Sequence, residues 1–380
     1  MELKKLRDEI DNIDDQLAIL YKKRMEIARA VAEVKKENNT PIENSVREKE
    51  IINRVTSEMP DDIKLYAKEV FTTVFSTSKA YQSQMIDMTS KTVSLIKESL
   101  EKGLKSFPIS ATVACQGIPG SYASIAAERL FKISSIMHMK NWDAVFNAVQ
   151  KGLCEYGVLP IENSSVGSVN AVYDLMRKHK CYIVRGIKLK VQHYLLANKG
   201  ASIENIKEIY SHEQAISQCS EFLKGLGDIK INIVDNTAVS AQLVKESGRN
   251  DICCIASREC AGIYGLSILE PNIQNSDSNF TRFIAIAKDF KVFEGANKIS
   301  IMVNLPHEAG SLNKLLTRFS TLGLNLTKLE SRPMSNSPFE FSFYFDFEAN
   351  LARKEVQNLI AELENINDKF VFLGGYSEVM

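Results

Sequence analysis

Apolar residues open the chain at alternating spacings of three and four: Leu3, Leu6, Ile10, Ile13, Leu17 and Leu20, then Ile27, Val31 and Val34. This a/d heptad seam predicts one helix of more than thirty residues, with neither Gly nor Pro before Pro41. Two further helical stretches follow, around 46–57 and 61–85, so residues 1–90 read as all-helical. The segment 91–108, ending Lys102-Gly103-Leu104-Lys105-Ser106-Phe107-Pro108, reads as a linker. From 109 to 288 the period changes. Short apolar runs such as Ala111-Thr112-Val113-Ala114, Tyr156-Gly157-Val158-Leu159, Ile231-Asn232-Ile233-Val234 and Ile252-Cys253-Cys254-Ile255 alternate with helical stretches. That alternation predicts an α/β layered fold, large enough at ~180 residues to divide into two lobes with a cleft between them. Residues 298–380 read as strand, helix, two strands, helix, strand, the βαββαβ order of ferredoxin-like folds.

Composition then removes whole classes of function. Of 380 residues, 44% are hydrophobic and 25% charged, an ordinary globular balance. Lys plus Arg and Asp plus Glu both number 47, so no global charge draws the chain to nucleic acid or an anionic membrane. Selectivity for an anion must come from a few placed basic residues. The opening Met1-Glu2-Leu3-Lys4-Lys5 has no apolar leader, and no run of ~18 apolar residues is present to span a bilayer. Seven cysteines, with no Cys-x-x-Cys pair, read as free thiols in a reducing cytoplasm. Five scattered histidines imply no metal.

Arg24 occupies a seam position where an apolar residue is predicted. A buried, unpaired guanidinium costs several kcal/mol, so an anion should meet it. Lys35 lies only ~20° further round the helix at 100° per residue and shares that face. Arg7 is ~25 Å from Arg24 and ~42 Å from Lys35 along the axis. On one straight helix Arg7 and Lys35 cannot hold one small ligand, but Arg7 of an antiparallel partner chain can. This spacing motivates a homodimer or higher homo-oligomer. The competing reading is an Arg–Glu network inside a coiled coil, with Glu26, Glu33 and Glu37.

The ordered set Leu6-Arg7-Asp8-Glu9-Ile10-Asp11-Asn12-Ile13-Asp14, Lys23-Arg24-Met25, Val34-Lys35, Val46-Arg47-Glu48 and Ser78-x-x-x-Gln82 resembles the all-helical class of chorismate mutase over residues 1–85. That family rearranges chorismate to prephenate by a Claisen shift without covalent catalysis. The resemblance implies that Arg7 of the partner, Arg24 and Arg47 hold the substrate carboxylates. It implies Lys35 and Gln82 as donors to the ether oxygen, Glu48 on the ring hydroxyl and Ser78 at a carboxylate. Fixed cations and donors of this kind stabilise charge that develops only in the transition state. Asn44 stands where the family often has Asp.

In the middle region, polar turns follow strands and precede helices: Gln116-Gly117-Ile118-Pro119-Gly120-Ser121-Tyr122, Pro160-Ile161-Glu162-Asn163-Ser164-Ser165-Val166-Gly167, Ser211-His212-Glu213-Gln214 and Ala256-Ser257-Arg258-Glu259. Such turns are helix caps, and at strand C-terminal ends they also build the ligand crevice of open α/β sheets. With Tyr264-Gly265-Leu266 and Asn279-Phe280-Thr281-Arg282-Phe283 in order behind them, they resemble prephenate dehydratase over about 109–287. The resemblance implies two periplasmic-binding-protein-like lobes with prephenate between them, and no cofactor, because aromatisation drives the loss of carbon dioxide and hydroxide. It implies Thr281 as the donor to the departing hydroxyl. Arg282 either binds a carboxylate or braces the turn. Asn163, Ser164, Ser211 and Gln214 are further candidate donors. Cys115 stands where the family's first motif often begins with an aromatic residue.

The last region carries Pro306-His307-Glu308-Ala309-Gly310-Ser311-Leu312 and Leu329-Glu330-Ser331-Arg332-Pro333, and it resembles an ACT regulatory domain over 298–380. In dehydratases of this type the two motifs bind L-phenylalanine between paired domains, which implicates Gly310, Ser311, Leu312, Glu330, Ser331 and Arg332. Ser311 replaces the family's usual Ala. A dimerisation module without a ligand is the alternative. Together the three resemblances imply a cytoplasmic, phenylalanine-inhibited enzyme of two reactions. An amino-acid-binding regulatory protein without catalysis is the runner-up, opposed by the Thr-Arg-Phe turn and the basic helical residues. Arogenate in place of prephenate is an alternative within enzymes.

Overall fold

The computed structural model describes residues 3–38, 40, 42–86, 88–104, 106–308, 310–333, 341–366 and 369–380. Ala309 of the Pro-His-Glu-Ala-Gly motif lies outside them. The chain forms two compact units, Met1–Glu98 with Ile299–Phe372, and Ser99–Lys298 with Leu373–Met380. The sequence reading differs at the end of the chain, where it assigns residues 373–380 to the C-terminal domain.

In the first unit, α1 (Leu3–Glu37) runs unbroken, as its lack of Gly and Pro dictates. Asn44 caps α2 (Ser45–Thr56) by accepting from the Arg47 N–H at 3.0 Å. Helix α3 (Asp61–Ser83) begins after Pro60 with Asp61 and Asp62 in its first turn, where negative charge suits the helix dipole. The seam predicted for α1 is uncovered: Leu3, Ile10, Ile13, Leu17, Leu20, Ile27 and Val34 are each more than half exposed. The face that packs within the chain instead carries Ala28 and Ala32, buried, with Arg24 and Lys35 half-buried. Arg24 keeps its seam spacing and stands where the seam borders this packed face.

The 91–108 stretch is not only a linker, since it contains α4 (Lys91–Glu101). The second unit continues with β1 (Ser110–Gln116), α5 (Tyr122–Leu130), β2 (Ile133–Met139), α6 (Trp142–Gln150), β3 (Tyr156–Asn163), β4 (Gly167–Ser168), α7 (Asn170–Lys178) and β5 (Tyr182–Lys190). The chain then crosses to a second sheet with β6 (Tyr194–Ala197), β7 (Glu208–Ser211), α8 (Glu213–Gln218), α9 (Ser220–Lys224), β8 (Lys230–Ile233), α10 (Thr237–Ser247), β9 (Ile252–Ala256), α11 (Arg258–Tyr264) and β10 (Ser267–Glu270). It returns to the first sheet as β11 (Phe280–Ala287).

The remaining elements are β12 (Lys298–Leu305), α12 (Ser311–Thr321), β13 (Asn325–Pro333), β14 (Phe341–Glu348), α13 (Lys354–Ile366), β15 (Val371–Tyr376) and β16 (Glu378–Val379). A seven-stranded sheet runs β16-β5-β11-β3-β1-β2, with β4 on β3, and a five-stranded sheet runs β10-β6-β9-β7-β8. Both bury apolar cores, and all seven cysteines are buried free thiols within this unit. The C-terminal sheet runs β13-β14-β12-β15, which with α12 and α13 gives the ferredoxin-like order. Within the first unit, α13 is tied to the helices before it: the Asn358 amide donates to the Ser83 and Ile86 carbonyls and accepts from the Met88 N–H. No helix among the described residues is long and apolar enough to cross a membrane.

Candidate active sites

A cavity of about 850 Å³ opens among the turns of the second unit. Its walls are helix beginnings: Ser121, Tyr122 and Ala123 at α5, Trp142 at α6, Ser168 and Val169 before α7, and Asn236 and Thr237 at α10. Ser121 and Asn236 spend their side chains on capping, accepting from the N–H groups of Ser124 and Val239. The positive ends of several dipoles thus converge on one volume, a setting suited to a dianion. Lys140 is its one lysine among the lining residues.

Thr281 and Asn163 meet in this wall. The Asn163 side-chain oxygen accepts from the N–H groups of Ser165 at 3.0 Å and Val166 at 3.1 Å, which fixes the amide's orientation. Its NH₂ must then point the other way, and it donates to Asn279 Oδ1 at 3.0 Å and to Thr281 Oγ1 at 2.8 Å. Because Thr281 Oγ1 is already an acceptor, its own proton is left to donate to a ligand in the cavity. Asn279 is fixed in turn, donating to Gln218 Oε1 at 3.0 Å, which also contacts His193 Nε2 at 2.9 Å. Burial lowers the pKa of His193, against the opposing hydrogen bond of Gln218, so the ring is held neutral. With Nε2–H on Gln218, its buried Nδ1 is an acceptor. Asn163→Asp should lower any turnover that uses the Thr281 proton roughly 100-fold at neutral pH, because an aspartate would capture that proton. Activity should recover toward lower pH as that carboxyl protonates and donates again; a pH–rate profile checks both.

A register shift explains how these groups reach the cavity. Across β3 and β11, Thr281 pairs with Asn163 and Arg282 with Glu162, but Phe283 pairs with Pro160, so Ile161 is the extra residue of a bulge. Pro160 and Asn163 both line the cavity although they are three apart, a spacing that strand alternation alone forbids.

Gln214 also lines the cavity, whereas the other candidate residues there do not. Ser211 is fully buried and donates to the Ile255 carbonyl at 2.7 Å, tying β7 to β9. Ser164 donates to the Ser278 carbonyl at 3.1 Å and accepts from the Phe280 N–H at 2.9 Å, holding the turn shut behind β11. Arg282 points to the opposite face of its strand from Thr281. Its Nε lies 2.5 Å from Glu378, its Nη2 donates to the Tyr376 hydroxyl at 2.6 Å, and it is 7% exposed. Of its two readings, the one that braces the turn fits the geometry, and the carboxylate-binding one does not. Gln218, His193 and Lys140 were not singled out from sequence: Gln218 and His193 stand outside the polar-turn motifs, and Lys140 lies on a plain β-to-α turn.

A second cavity of about 380 Å³ lies in the first unit. Arg24, Lys35, Arg47, Glu48, Ser78 and Gln82, six of the seven residues predicted from the helical motifs, line it together. Arg24 donates to Ser78 Oγ and sits 5.6 Å above the Phe75 ring. Burial lowers its pKa and that of Lys35, whose Nζ donates to the Ile42 carbonyl at 2.6 Å. Glu48 pairs with Lys79 at 2.9 Å, a residue the motifs did not mark. Gln82 is buried with its Oε1 unpartnered, so its amide is free to turn toward a ligand. Arg7 is exposed on α1 and is not among the lining residues.

In the C-terminal fold, Gly310 takes the left-handed backbone at φ 85° just before α12, and Ser311 and Leu312 open that helix. Glu330, Ser331 and Arg332 lie on β13, an edge strand.

Family models match the chain over residues 6–83, as chorismate mutase type II, and 113–291, as prephenate dehydratase. The chain is 32% identical to the bifunctional chorismate mutase/prephenate dehydratase of Aquifex aeolicus (strain VF5) over 381 aligned residues, 100% of this chain and 99% of that protein. It is 38% identical over 276 residues to arogenate dehydratase/prephenate dehydratase 2, chloroplastic, of Arabidopsis thaliana, spanning 70% of this chain and 72% of that one. Among solved structures it is similar to the prephenate dehydratase of Arthrobacter aurescens in complex with L-Phe, with a TM-score of 0.64, 26% identity and coverage of 70% of this chain and 89% of that one.

Proposed function

Because the chain belongs to the bifunctional chorismate mutase/prephenate dehydratases, two reactions of phenylalanine biosynthesis on one polypeptide, we propose how its cavities and its C-terminal fold divide the work. Residues 1–90 are the mutase, 91–108 connect it to the dehydratase of 109–288, and 298–380 carry the regulatory fold, with the segment 373–380 packing in the dehydratase unit.

In the mutase cavity, Arg24 and Arg47 hold the two carboxylates of chorismate in the folded conformer the rearrangement needs. Lys35 and Gln82 donate to the ether oxygen as negative charge gathers there, Ser78 assists a carboxylate, and Glu48 accepts from the ring hydroxyl. Lys79 keeps Glu48 in place. The site is completed by Arg7 of a second copy. Support for that dimer comes from the uncovered Leu3–Val34 seam, an apolar stripe on a 35-residue helix that water would otherwise face.

In the dehydratase cavity, prephenate is held by Lys140 and the helix beginnings. The single observation behind this reading is the Asn163–Thr281 contact, which leaves the Thr281 proton to donate. The carboxylate on the ring leaves as carbon dioxide, and its bonding pair enters the ring. The ring hydroxyl departs as hydroxide with a hydrogen bond from Thr281 and takes one proton from solvent to become water, giving phenylpyruvate. The group near the side-chain keto is where arogenate differs, carrying an amine there, and competition between the two substrates ranks them.

The Gly310–Leu312 turn and the Glu330–Arg332 edge strand form the L-phenylalanine site when two C-terminal folds pair. The Arthrobacter enzyme's complex with L-Phe supports this reading. Phenylalanine at ~100 times its Kd should raise the stability of the purified protein by about 2.7 kcal/mol, read as a rise in Tm. An unchanged Tm and unchanged turnover would favour a dimerisation module without a ligand.

A further inference from the structure

The last eight residues, Leu373–Met380, belong to the same compact unit as residues 99–298. They are seated against β5 rather than trailing from it. Strand β16 pairs with β5 in parallel, Glu378 opposite Gly186 and Val379 opposite Ile187. The Gly186 N–H donates to the Ser377 carbonyl at 2.9 Å, and the Arg185 guanidinium to the Ser377 hydroxyl at 2.6 Å. Glycine is required at Gly374, where φ is 148° and an added Cβ would lie 2.2 Å from the Ile183 carbonyl oxygen. At Gly186 an added Cβ would come within 3.2 Å of the Glu378 side chain.

The tail delivers two groups to the back of the catalytic strand. Glu378 pairs with Arg282 at 2.5 Å, Lys298 at 3.0 Å and Lys188 at 3.1 Å. Burial alone would raise its carboxyl, but Arg282 and Lys298 outweigh that and hold it at about 2. Tyr376, 1% exposed, accepts from Arg282 with its hydroxyl. Arg282 also faces Glu162 at 3.7 Å, and these two residues stand opposite each other across β3 and β11, next to the bulge.

We propose that Glu378 and Tyr376 are positioning residues of the dehydratase, acting through Arg282 to hold the bulged β3–β11 segment that aims Thr281. The proposal rests on the reading of Thr281 as the donor to the departing hydroxyl. Arg282 is not among the cavity's lining residues, so the tail governs the geometry of reaction and not the binding of substrate.

The test uses full-length Glu378→Gln and Tyr376→Phe, with the mutase rate of the same chain as an internal control of folding. Dehydratase kcat should fall at least ~10-fold in Glu378→Gln and by less in Tyr376→Phe, with KM within about 2-fold of wild type and mutase turnover unchanged. Placed in a Thr281→Ala background, Glu378→Gln should cause no further loss, because the group it positions is gone. Wild-type kcat in both single variants overturns the proposal. So do losses that multiply in the double variant, which mark a merely structural tail. If Glu378→Gln does not fold, Tyr376→Phe, which removes one hydroxyl, decides alone. If Thr281→Ala itself retains full activity, the reading of Thr281 fails and the proposal falls with it. A dead Thr281→Ala beside a normal Glu378→Gln overturns the proposal alone.

Discussion

Thr281→Ala should lower phenylpyruvate formation at least ~100-fold while the same preparation consumes chorismate at the wild-type rate. The expectation follows from one atom. Thr281 Oγ1 receives the Asn163 amide proton at 2.8 Å, so the hydroxyl's remaining role is to donate. Hydroxide is a poor leaving group, and a placed donor lowers that barrier directly. Thr281→Ser keeps the hydroxyl and should keep most activity. Thr281→Val keeps the shape, loses the donor and should resemble Ala. Steady-state rates for the three variants, each with its mutase rate, separate chemistry from packing. Near-normal turnover in Thr281→Val would remove Thr281 from the mechanism.

Arg24→Ala should lower mutase kcat/KM roughly 100- to 1,000-fold, the range for removing one partner of a hydrogen-bonded ion pair with a bound carboxylate, and leave the dehydratase unchanged. Arg7→Ala should do the same although Arg7 is absent from the cavity of its own chain. The two dead variants should then rescue each other. In a mixed dimer one site carries both changes and the other carries neither, so refolding an equal mixture should restore about a quarter of wild-type sites. No recovery on mixing would mean that each site is built from one chain. It would also leave the exposed α1 seam with another occupant.

Most element types were legible because period and caps agree. The heptad spacing fixed α1, and the βαββαβ order after residue 298 appeared as read. The seam's partner was not legible. Hydrophobic spacing says that a stripe is buried, not by which chain, and the stripe on α1 is uncovered in the monomer while the neighbouring Ala28–Ala32 face packs. For the mutase cavity, six of seven predicted residues converge, because helical spacing carries directional information over the whole motif.

The dehydratase cavity was harder to read. Thr281 and Asn163 stood out as motif residues, but their contact spans 118 positions and depends on a bulge at Ile161 that is set by register. Ser211 looked like a ligand donor at a strand end and proved to be a tie to the Ile255 carbonyl. Local sequence offers both roles to a serine, and only the packing of β7 on β9 decides between them. Arg282 was open for the same reason: its partner, Glu378, lies 96 positions away in a tail that nothing in the local motif announces.

A single coupled assay tests both active sites at once. Purified protein is given chorismate alone, and the loss of chorismate and the appearance of phenylpyruvate are followed together, with and without L-phenylalanine. Chorismate should disappear, phenylpyruvate should form without any added cofactor, and L-phenylalanine should slow its formation. Chorismate left untouched, or prephenate accumulating with no phenylpyruvate, would contradict the claim that one chain carries both active sites.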